Sequence, residues 1–200
     1  MDQLAAQLDR IRAKVPLARA TDEKFKLFGS RSHRYQLQSP VAEAELQEME
    51  ACYGIRLPEP YRRFMGEIGN GGAGPSYGIY ELGQGLDELS NDQELYLRQP
   101  CRLNPVMTLA QWQELTRPID ENEEISDEDF DRVTGEMYAG LLPVGTRGCM
   151  ITNALILNGP FIGRVVITNS ERDLPYFCKE ATFLDWYESW LDEVIAREFR

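Results

Sequence analysis

Three glycines in the stretch LPEPYRRFMGEIGNGGAGPSYG have the spacing of a nucleotide-binding motif. Gly69, Gly71 and Gly74 fit the pattern G-x-G-x-x-G, in which glycines let the backbone approach a pyrophosphate. That motif needs a strand before the glycines and a helix after them, because the pyrophosphate binds at the helix N-terminus. Here a helical pattern precedes the glycines and a strand-like run follows them. The sequence therefore predicts a helix stop and a tight loop, and not a phosphate site.

A second candidate for chemistry is a dense group of carboxylates between positions 120 and 131. The calcium-loop pattern is absent from it, because no glycine falls at the required turn and no glutamate closes the ring. Ser126 and Asp129 instead form a capping pair that predicts the start of a helix. The window is either a solvated loop or an acidic docking surface for another protein. For the second interpretation, we expect the partner-binding residues to be Asp120, Glu121, Glu123, Glu124, Asp127 and Glu128.

The other reactive residue types are too sparse to form a catalytic or metal-binding constellation. His33 is the only histidine, and no nucleophile with its own motif points to it. The four cysteines are far apart and include no C-x-x-C pair, which argues against a zinc site or a disulfide framework. We expect reduced, mostly buried thiols, no metal, no cofactor and no catalytic residue.

Apolar residues at helical spacing predict the helices that position these stretches. The helix before the glycines starts at two prolines and buries one apolar face. The other predicted helices are one capped by Asp2 and ended by Pro16, one from Ser39 to Gly54, a short one from Thr108 to Leu115 limited by Pro118, one after Ser126, and a last one after Thr182 that should lie across a sheet.

Strand-like runs follow in the second half of the chain, and LILNGPFIGRVVI predicts a hairpin. Between the glycines and these strands, residues 83–105 are polar and lack clear periodicity. Such a segment is typical of an insertion on one face that serves recognition. The predicted strands are Tyr77–Leu82, Leu141–Val144, Cys149–Leu157, Arg164–Thr168 and Leu174–Cys178.

The net charge of −12 is unevenly distributed along the 200 residues. Residues 1–36 carry eight Lys/Arg against four Asp/Glu, whereas residues 37–200 carry thirteen against twenty-nine. An acidic body repels nucleic acid and anionic membranes and attracts a basic protein, although acidity also serves solubility alone. The sequence shows neither the apolar run of a signal peptide nor a membrane span, so we expect a cytoplasmic protein with one core.

Three segments follow one another along the chain in a characteristic order: LPEPYRRFMGEIGNGGAGPSYGIYELG, GCMITNALILNGPFIGRVVI and TFLDWYESWLDEV. Together they resemble the SUKH superfamily, which includes fungal Smi/Knr cell-wall-assembly regulators and many bacterial immunity proteins. The similarity runs from about Phe28 to the C-terminal helix, and FGSRSHRYQLQSPV resembles the lead-in of a bacterial subgroup. Relatives often have a tryptophan in the strand after the N-G-P turn, near the place of Val166, so the chain departs from the family there.

The resemblance implies an α+β domain in which helices surround a mostly antiparallel sheet. We expect this domain at residues 37–200, preceded by an amphipathic helix and connector at residues 1–36. It also implies a non-catalytic immunity protein that binds and neutralises a cognate polymorphic toxin, often a nuclease or another nucleic-acid-targeting enzyme. The acidic body favours a basic toxin as the partner.

Two further hypotheses come from different classes of protein. The fungal relatives favour a regulatory module that binds other proteins, and His33 with a nearby carboxylate would make a hydrolase. The sequence leaves open which face binds a partner and whether the chain forms oligomers. It also leaves open whether the apolar stripe of the first helix, with Leu4, Leu8 and Ile11, packs on the core or on a second subunit.

Overall fold

The structure, a computed structural model, describes residues 2–122 and 124–197, which form eight α-helices and a four-stranded antiparallel sheet. The predicted α+β class is therefore confirmed. The elements in chain order are α1 (Gln3–Thr21), α2 (Ser30–His33), α3 (Glu43–Tyr53), α4 (Glu59–Glu67), a 3₁₀ turn (Leu86–Glu88), α5 (Gln93–Tyr96), α6 (Leu109–Asp120), α7 (Asp127–Met137), β1 (Leu141–Gly148), β2 (Ile151–Ile156), β3 (Val165–Asn169), β4 (Tyr176–Phe177) and α8 (Phe183–Ile195).

The sheet has the strand order β1-β2-β3-β4, so each strand pairs with the next one along the chain. The predicted hairpin is confirmed as β2 and β3, with Ala154 opposite Val166 in register. Both side chains are fully buried, as is Leu142 on β1. β1 extends four residues beyond its predicted end at Val144, and β4 shrinks to two residues at the sheet edge.

The prediction of a regular strand at Tyr77–Leu82 is wrong. Within it only Ile79 forms a bridge, with Gly72, although Tyr80 N donates to the Val144 carbonyl of β1 at 3.0 Å. Gly78 interrupts the extended backbone with a φ of 104°. A side chain at Gly78 would collide with the Gly72 carbonyl oxygen, because a Cβ there would lie 2.1 Å from that atom.

The glycine stretch after α4 is a tight loop, as the sequence predicts. The left-handed residues in it are Gly71 and Gly72, with φ of 78° and 98°. At Gly72 a Cβ would lie 2.3 Å from the Gln36 carbonyl oxygen, so the absence of a side chain is required by neighbouring backbone. These glycines serve close chain packing.

α4 and α8 meet through a buried aromatic cluster. Phe64 packs against Phe183 and Tyr187 with ring centroids 5.2 and 4.7 Å apart, and Tyr61 lies 5.0 Å from Phe183. The Tyr187 hydroxyl donates to the Ala73 carbonyl at 2.8 Å, which ties the last helix to the glycine loop. α8 contacts α1 and α4 more extensively than it contacts any strand, whereas we expected it to lie across the sheet.

α1 continues through Pro16 to Thr21, so the prediction that Pro16 ends it is wrong. Proline removes one backbone hydrogen bond, but buried side chains on both sides of it, Ile11 and Ala18, pack on the core. This apolar burial outweighs the lost bond. Leu8 is fully buried as well, so the stripe of α1 packs within its own chain.

A carboxylate on α8 anchors α1 electrostatically. Glu188 accepts hydrogen bonds from Arg10 Nε at 2.8 Å, Lys14 Nζ at 2.9 Å and Gln7 Nε2 at 3.2 Å. Burial alone would raise the pKa of Glu188, but the bonds from Arg10 and Lys14 and the Lys14 charge outweigh it and lower the pKa to about 2. The buried charge is thus fully compensated by α1.

Other boundaries also differ from the sequence predictions. α3 starts at Glu43 instead of Ser39, because Val41 N is engaged with the Met65 carbonyl at 2.9 Å. α6 runs past Pro118, since Ile119 beyond it is buried.

The thiols are free, but Cys52 and Cys149 are exposed, so the expectation of mostly buried cysteines is wrong for these two. None of the described helices combines the length and apolarity needed to cross a bilayer.

His33 falls in the segment predicted as a connector, but it lies in the short helix α2 and is buried. Its ring packs edge-on against Tyr35 and Trp190, and Nδ1 accepts from Tyr35 N at 3.0 Å. Burial lowers the pKa of His33 to about 4, although the charge of Asp22 opposes the shift. The ring is therefore neutral at pH 7, and its contacts are those of a packing residue.

We expect His33 to make the fold less stable in mild acid. The unfolded chain binds a proton at His33 near pH 6.5, whereas the folded chain binds it only near pH 4, so the unfolding free energy falls as the pH drops through this window. After allowance for solvent screening, the loss between pH 7 and 5 should be on the order of 1 kcal/mol. Urea denaturation at both pH values measures it, with His33→Gln as the variant that lacks this dependence. An equal loss in wild type and variant would contradict the assignment.

Candidate functional site

The acidic window occupies the end of α6, the turn after it and the start of α7. Ser126 Oγ accepts from Asp129 N at 3.1 Å, which confirms the predicted cap of α7. Asp120 is bound by Arg172 at 2.7 Å. Hydrogen bonding from Thr116, followed by Arg172, lowers the pKa of the Asp120 carboxyl despite partial burial. The expected partner-binding residues that are exposed are Asp120, Glu121, Glu124, Asp127 and Glu128, and Glu123 lies outside the described residues.

A cleft of about 220 Å³ lies beside the acidic window. Its walls are the 3₁₀ turn with the loop after it, the first turns of α7, and the adjoining ends of β2 and β3. We call it the acidic cleft. Its carboxylates are Asp87, Glu88 and Asp131, its apolar walls include Phe130 and Met150, and its floor includes Thr152 and Thr168.

The segment 83–105 forms one wall because side chains tie it to α7. Asn91 Nδ2 donates to Asp131 Oδ1 at 2.8 Å, and Ser90 Oγ donates to the Asp131 carbonyl at 3.3 Å. The segment is anchored below by Tyr96, which is fully buried and whose hydroxyl donates to the Leu86 carbonyl at 2.7 Å. The segment that the sequence predicts to serve recognition is therefore packed against the acidic window, while its role in recognition stays a prediction.

The acidic cleft carries an excess of negative charge. Arg172 is the only basic residue on its described lining, and Asp120 already pairs with it. Glu88 accepts from the Tyr80 hydroxyl and from Thr152 Oγ1 at 2.9 Å, so its hydrogen-bond donors are neutral. Burial, together with the hydrogen bond to Glu88 and the negative charge of Glu88, raises the pKa of Tyr80. The Tyr80 hydroxyl therefore stays protonated and donates to Glu88.

The floor of the acidic cleft contains a hydroxyl without a partner. Thr152 and Thr168 lie opposite each other on β2 and β3, and both are buried. Thr168 Oγ1 has no hydrogen bond to any residue of the described chain. A buried polar atom of this kind is costly unless a partner arrives from outside.

The turn between β1 and β2 is strained and forms part of the same surface. Cys149 and Met150 are the two turn residues, and both have left-handed backbones, with φ of 50° and 60°. Asn-Gly is the usual pair there, because a Cβ makes this conformation unfavourable. Met150 is 71% exposed, so packing does not compensate for the strain.

The sequence predicts the rim of this site but not its interior. Of the five expected partner-binding residues that the structure describes, only Asp120 touches the lining of the acidic cleft, through Arg172. The lining residues come from four separate parts of the chain, and the sequence signals among them are Asp131, at the end of the acidic window, and the pair of acids at positions 87 and 88 in the segment 83–105. Among the described residues, no three His, Cys, Asp or Glu side chains are grouped to hold a metal ion.

The model of the SMI1/KNR4 family (SUKH-1) matches residues 40–189, which are 150 of the 200 residues. The chain belongs to the SMI1/KNR4 (SUKH-1) family. The resemblance read from the three sequence segments is therefore confirmed. No individual curated protein matches the chain significantly. The matched range contains α3 to α7, the sheet and the first half of α8, so both the acidic window and the acidic cleft lie within the SUKH-1 domain.

We expect the double variant Cys149→Asn, Met150→Gly to be more stable than the wild type by about 1–2 kcal/mol, because Asn-Gly relieves the strain of the turn. Thermal unfolding followed by circular dichroism measures this change. The control is Cys52→Asn, which removes another exposed cysteine from the regular backbone of α3 and should give no gain. Unchanged or reduced stability of the double variant would show that the turn is not strained.

Proposed function

We propose that this SUKH-1 protein is a non-catalytic immunity protein that binds and neutralises a cognate polymorphic toxin, one that acts on nucleic acid. The observation that carries the proposal is the exposed acidic window beside the acidic cleft. Membership of the family supports it, since the SUKH superfamily includes many bacterial immunity proteins. A nucleic-acid-targeting toxin presents basic surface, to which these carboxylates are complementary.

Charge complementarity explains how binding would neutralise such a toxin. A toxin holds nucleic acid through Lys and Arg side chains, and a protein that offers carboxylates at matching positions occupies the same surface. Complementary charge also accelerates encounter, which matters for an inhibitor that must act before the toxin does. A cytoplasmic location follows from this role, because the toxin's substrate is there.

Affinity capture tests the proposal. The tagged chain is recovered from its own host after a moderate-salt wash, and bound proteins are identified by mass spectrometry. The proposal requires a bound protein whose expression alone is lethal and whose lethality disappears when this chain is co-expressed. Capture of envelope-assembly or housekeeping proteins without a toxic one would favour the alternative, a regulatory protein-binding module like the fungal Smi/Knr relatives.

A charge-reversal variant tests the acidic window. Glu121→Lys, Glu123→Lys and Glu124→Lys together should weaken binding to the captured toxin by about tenfold to a hundredfold, mainly through slower association. The fold should be unaffected, because the two described residues of this set are exposed. Surface plasmon resonance at two salt concentrations measures both rates.

The matched control reverses three exposed carboxylates elsewhere, Glu45, Glu48 and Glu193. It changes the net charge equally and should leave association much faster than in the first variant. Equal weakening in both variants would show that only overall charge matters. Unchanged affinity in the first variant would remove the acidic window from the interface.

A further inference from the structure

We propose that the acidic cleft binds one Lys or Arg side chain of the protein partner. The aliphatic stem would lie between Phe130 and Met150, with the cationic head facing Asp87, Glu88 and the hydroxyl of Thr168. This inference rests on the proposed function only in assuming a protein partner. It adds the chemistry by which one part of the surface recognises that partner.

The size of the acidic cleft favours a single side chain. Its 220 Å³ is below the range of about 300–1,000 Å³ typical of sites for cofactors and drug-sized ligands. It is also much larger than the site of one ordered water, since water occupies about 30 Å³ in the liquid. The volume of an extended side chain of several heavy atoms lies between these two limits.

The charge of the acidic cleft favours a cation. Three carboxylates line it, and the one arginine on the lining is paired with Asp120. Elsewhere in the molecule a largely buried carboxylate has cationic donors of its own, as Glu188 has in Arg10 and Lys14. Glu88, which is exposed, and Asp131, which is half-buried, accept side-chain hydrogen bonds from the neutral donors Tyr80, Thr152 and Asn91, and neither forms an ion pair within the described residues.

The unpartnered hydroxyl of Thr168 indicates a donor that arrives from outside. It is buried at 3% exposure, and its neighbour Thr152 already donates to Glu88. A guanidinium or ammonium group carries several N–H donors and could satisfy Thr168 Oγ1 and a carboxylate at the same time. A neutral apolar side chain would leave both unsatisfied.

The apolar walls complement the stem of such a side chain. Phe130 and Met150 are both exposed at the mouth of the acidic cleft. Lys and Arg bury their methylene stems against apolar surface while their charge stays solvated or paired, and an aromatic face also attracts the cation itself. The strained turn that holds Met150 at the mouth agrees with a binding role, because strain is retained where function requires it.

The first test uses capped amino acids as probes of the full chain by ¹⁵N-resolved NMR titration. N-acetyl-arginine methylamide should shift the amides of residues 88, 131, 152 and 168 saturably, with a dissociation constant of about a millimolar. N-acetyl-norleucine methylamide, which has a stem without a charge, and the glutamate analogue should not. Absence of saturation with the arginine and lysine probes, or an equal response to glutamate, would overturn the proposal.

Two substitutions separate binding from folding. Thr168→Val keeps the shape of the side chain and removes a hydroxyl that has no partner, so its melting temperature should be unchanged or higher while probe affinity falls about threefold to tenfold. Asp87→Asn removes an exposed carboxylate and should weaken the probe similarly. The controls are Thr21→Val in α1 and Glu45→Gln in α3, which should leave probe affinity unchanged. If Thr168→Val bound the probe as tightly as wild type, the assigned site would be wrong.

The same variants distinguish this proposal from the proposed function. If the captured partner binds the Asp87→Asn, Thr168→Val double variant with wild-type affinity, the side-chain assignment fails although the chain still binds a protein. If the arginine probe binds at the cleft but no captured protein is toxic, the immunity role fails and the cleft assignment stands. Single Lys and Arg residues of the partner are then replaced one at a time. The residue that enters the acidic cleft is the one whose replacement weakens binding as much as the double variant does.

Discussion

The contact between α4 and α8 is the constraint on which most of the structure depends. Phe64 of α4 lies under Phe183 and Tyr187 of α8, and all three side chains are fully buried. Aromatic side chains of this size supply much of the apolar area that a core buries. The Tyr187 hydroxyl reaches the Ala73 carbonyl, so the same contact also fixes the glycine loop. That loop in turn holds the segment 77–82 against β1, and this segment leads directly into the wall of the acidic cleft.

Charge is used in two different ways on the two sides of this core. Between α1 and α8, Glu188 is largely buried, and cationic donors on α1 compensate its charge. At the acidic cleft, Glu88 accepts hydrogen bonds from neutral donors, and the Thr168 hydroxyl has no partner among the described residues. The first arrangement is complete within the chain, whereas the second gains its cation from a partner under the proposal made above.

The SUKH-1 domain presents the acidic cleft on short elements packed beside paired strands of the sheet. The floor residues come from the paired strands β2 and β3, and the walls come from α7 and the segment 83–105. Loops and helix ends held by a packed scaffold are common places for recognition, because their side chains vary without loss of the core. α1 lies outside the range matched by the family model and packs on α8, away from the lining of the acidic cleft.

The sequence by itself determined the α+β class, the capped helix starts at Ser126 and Thr182, the β2–β3 hairpin and the structural role of the glycines. The caps and the hairpin depend on neighbours within a few residues, whose propensities act locally. The class follows from the order of segments that resembles the family. The tertiary structure alone decided that α1 and α6 pass through Pro16 and Pro118, because distant burial outweighs the local cost of a proline. It also decided that Glu88, Asp131 and Thr168 share one cleft, since residues so far apart in the chain meet only through packing of the whole domain.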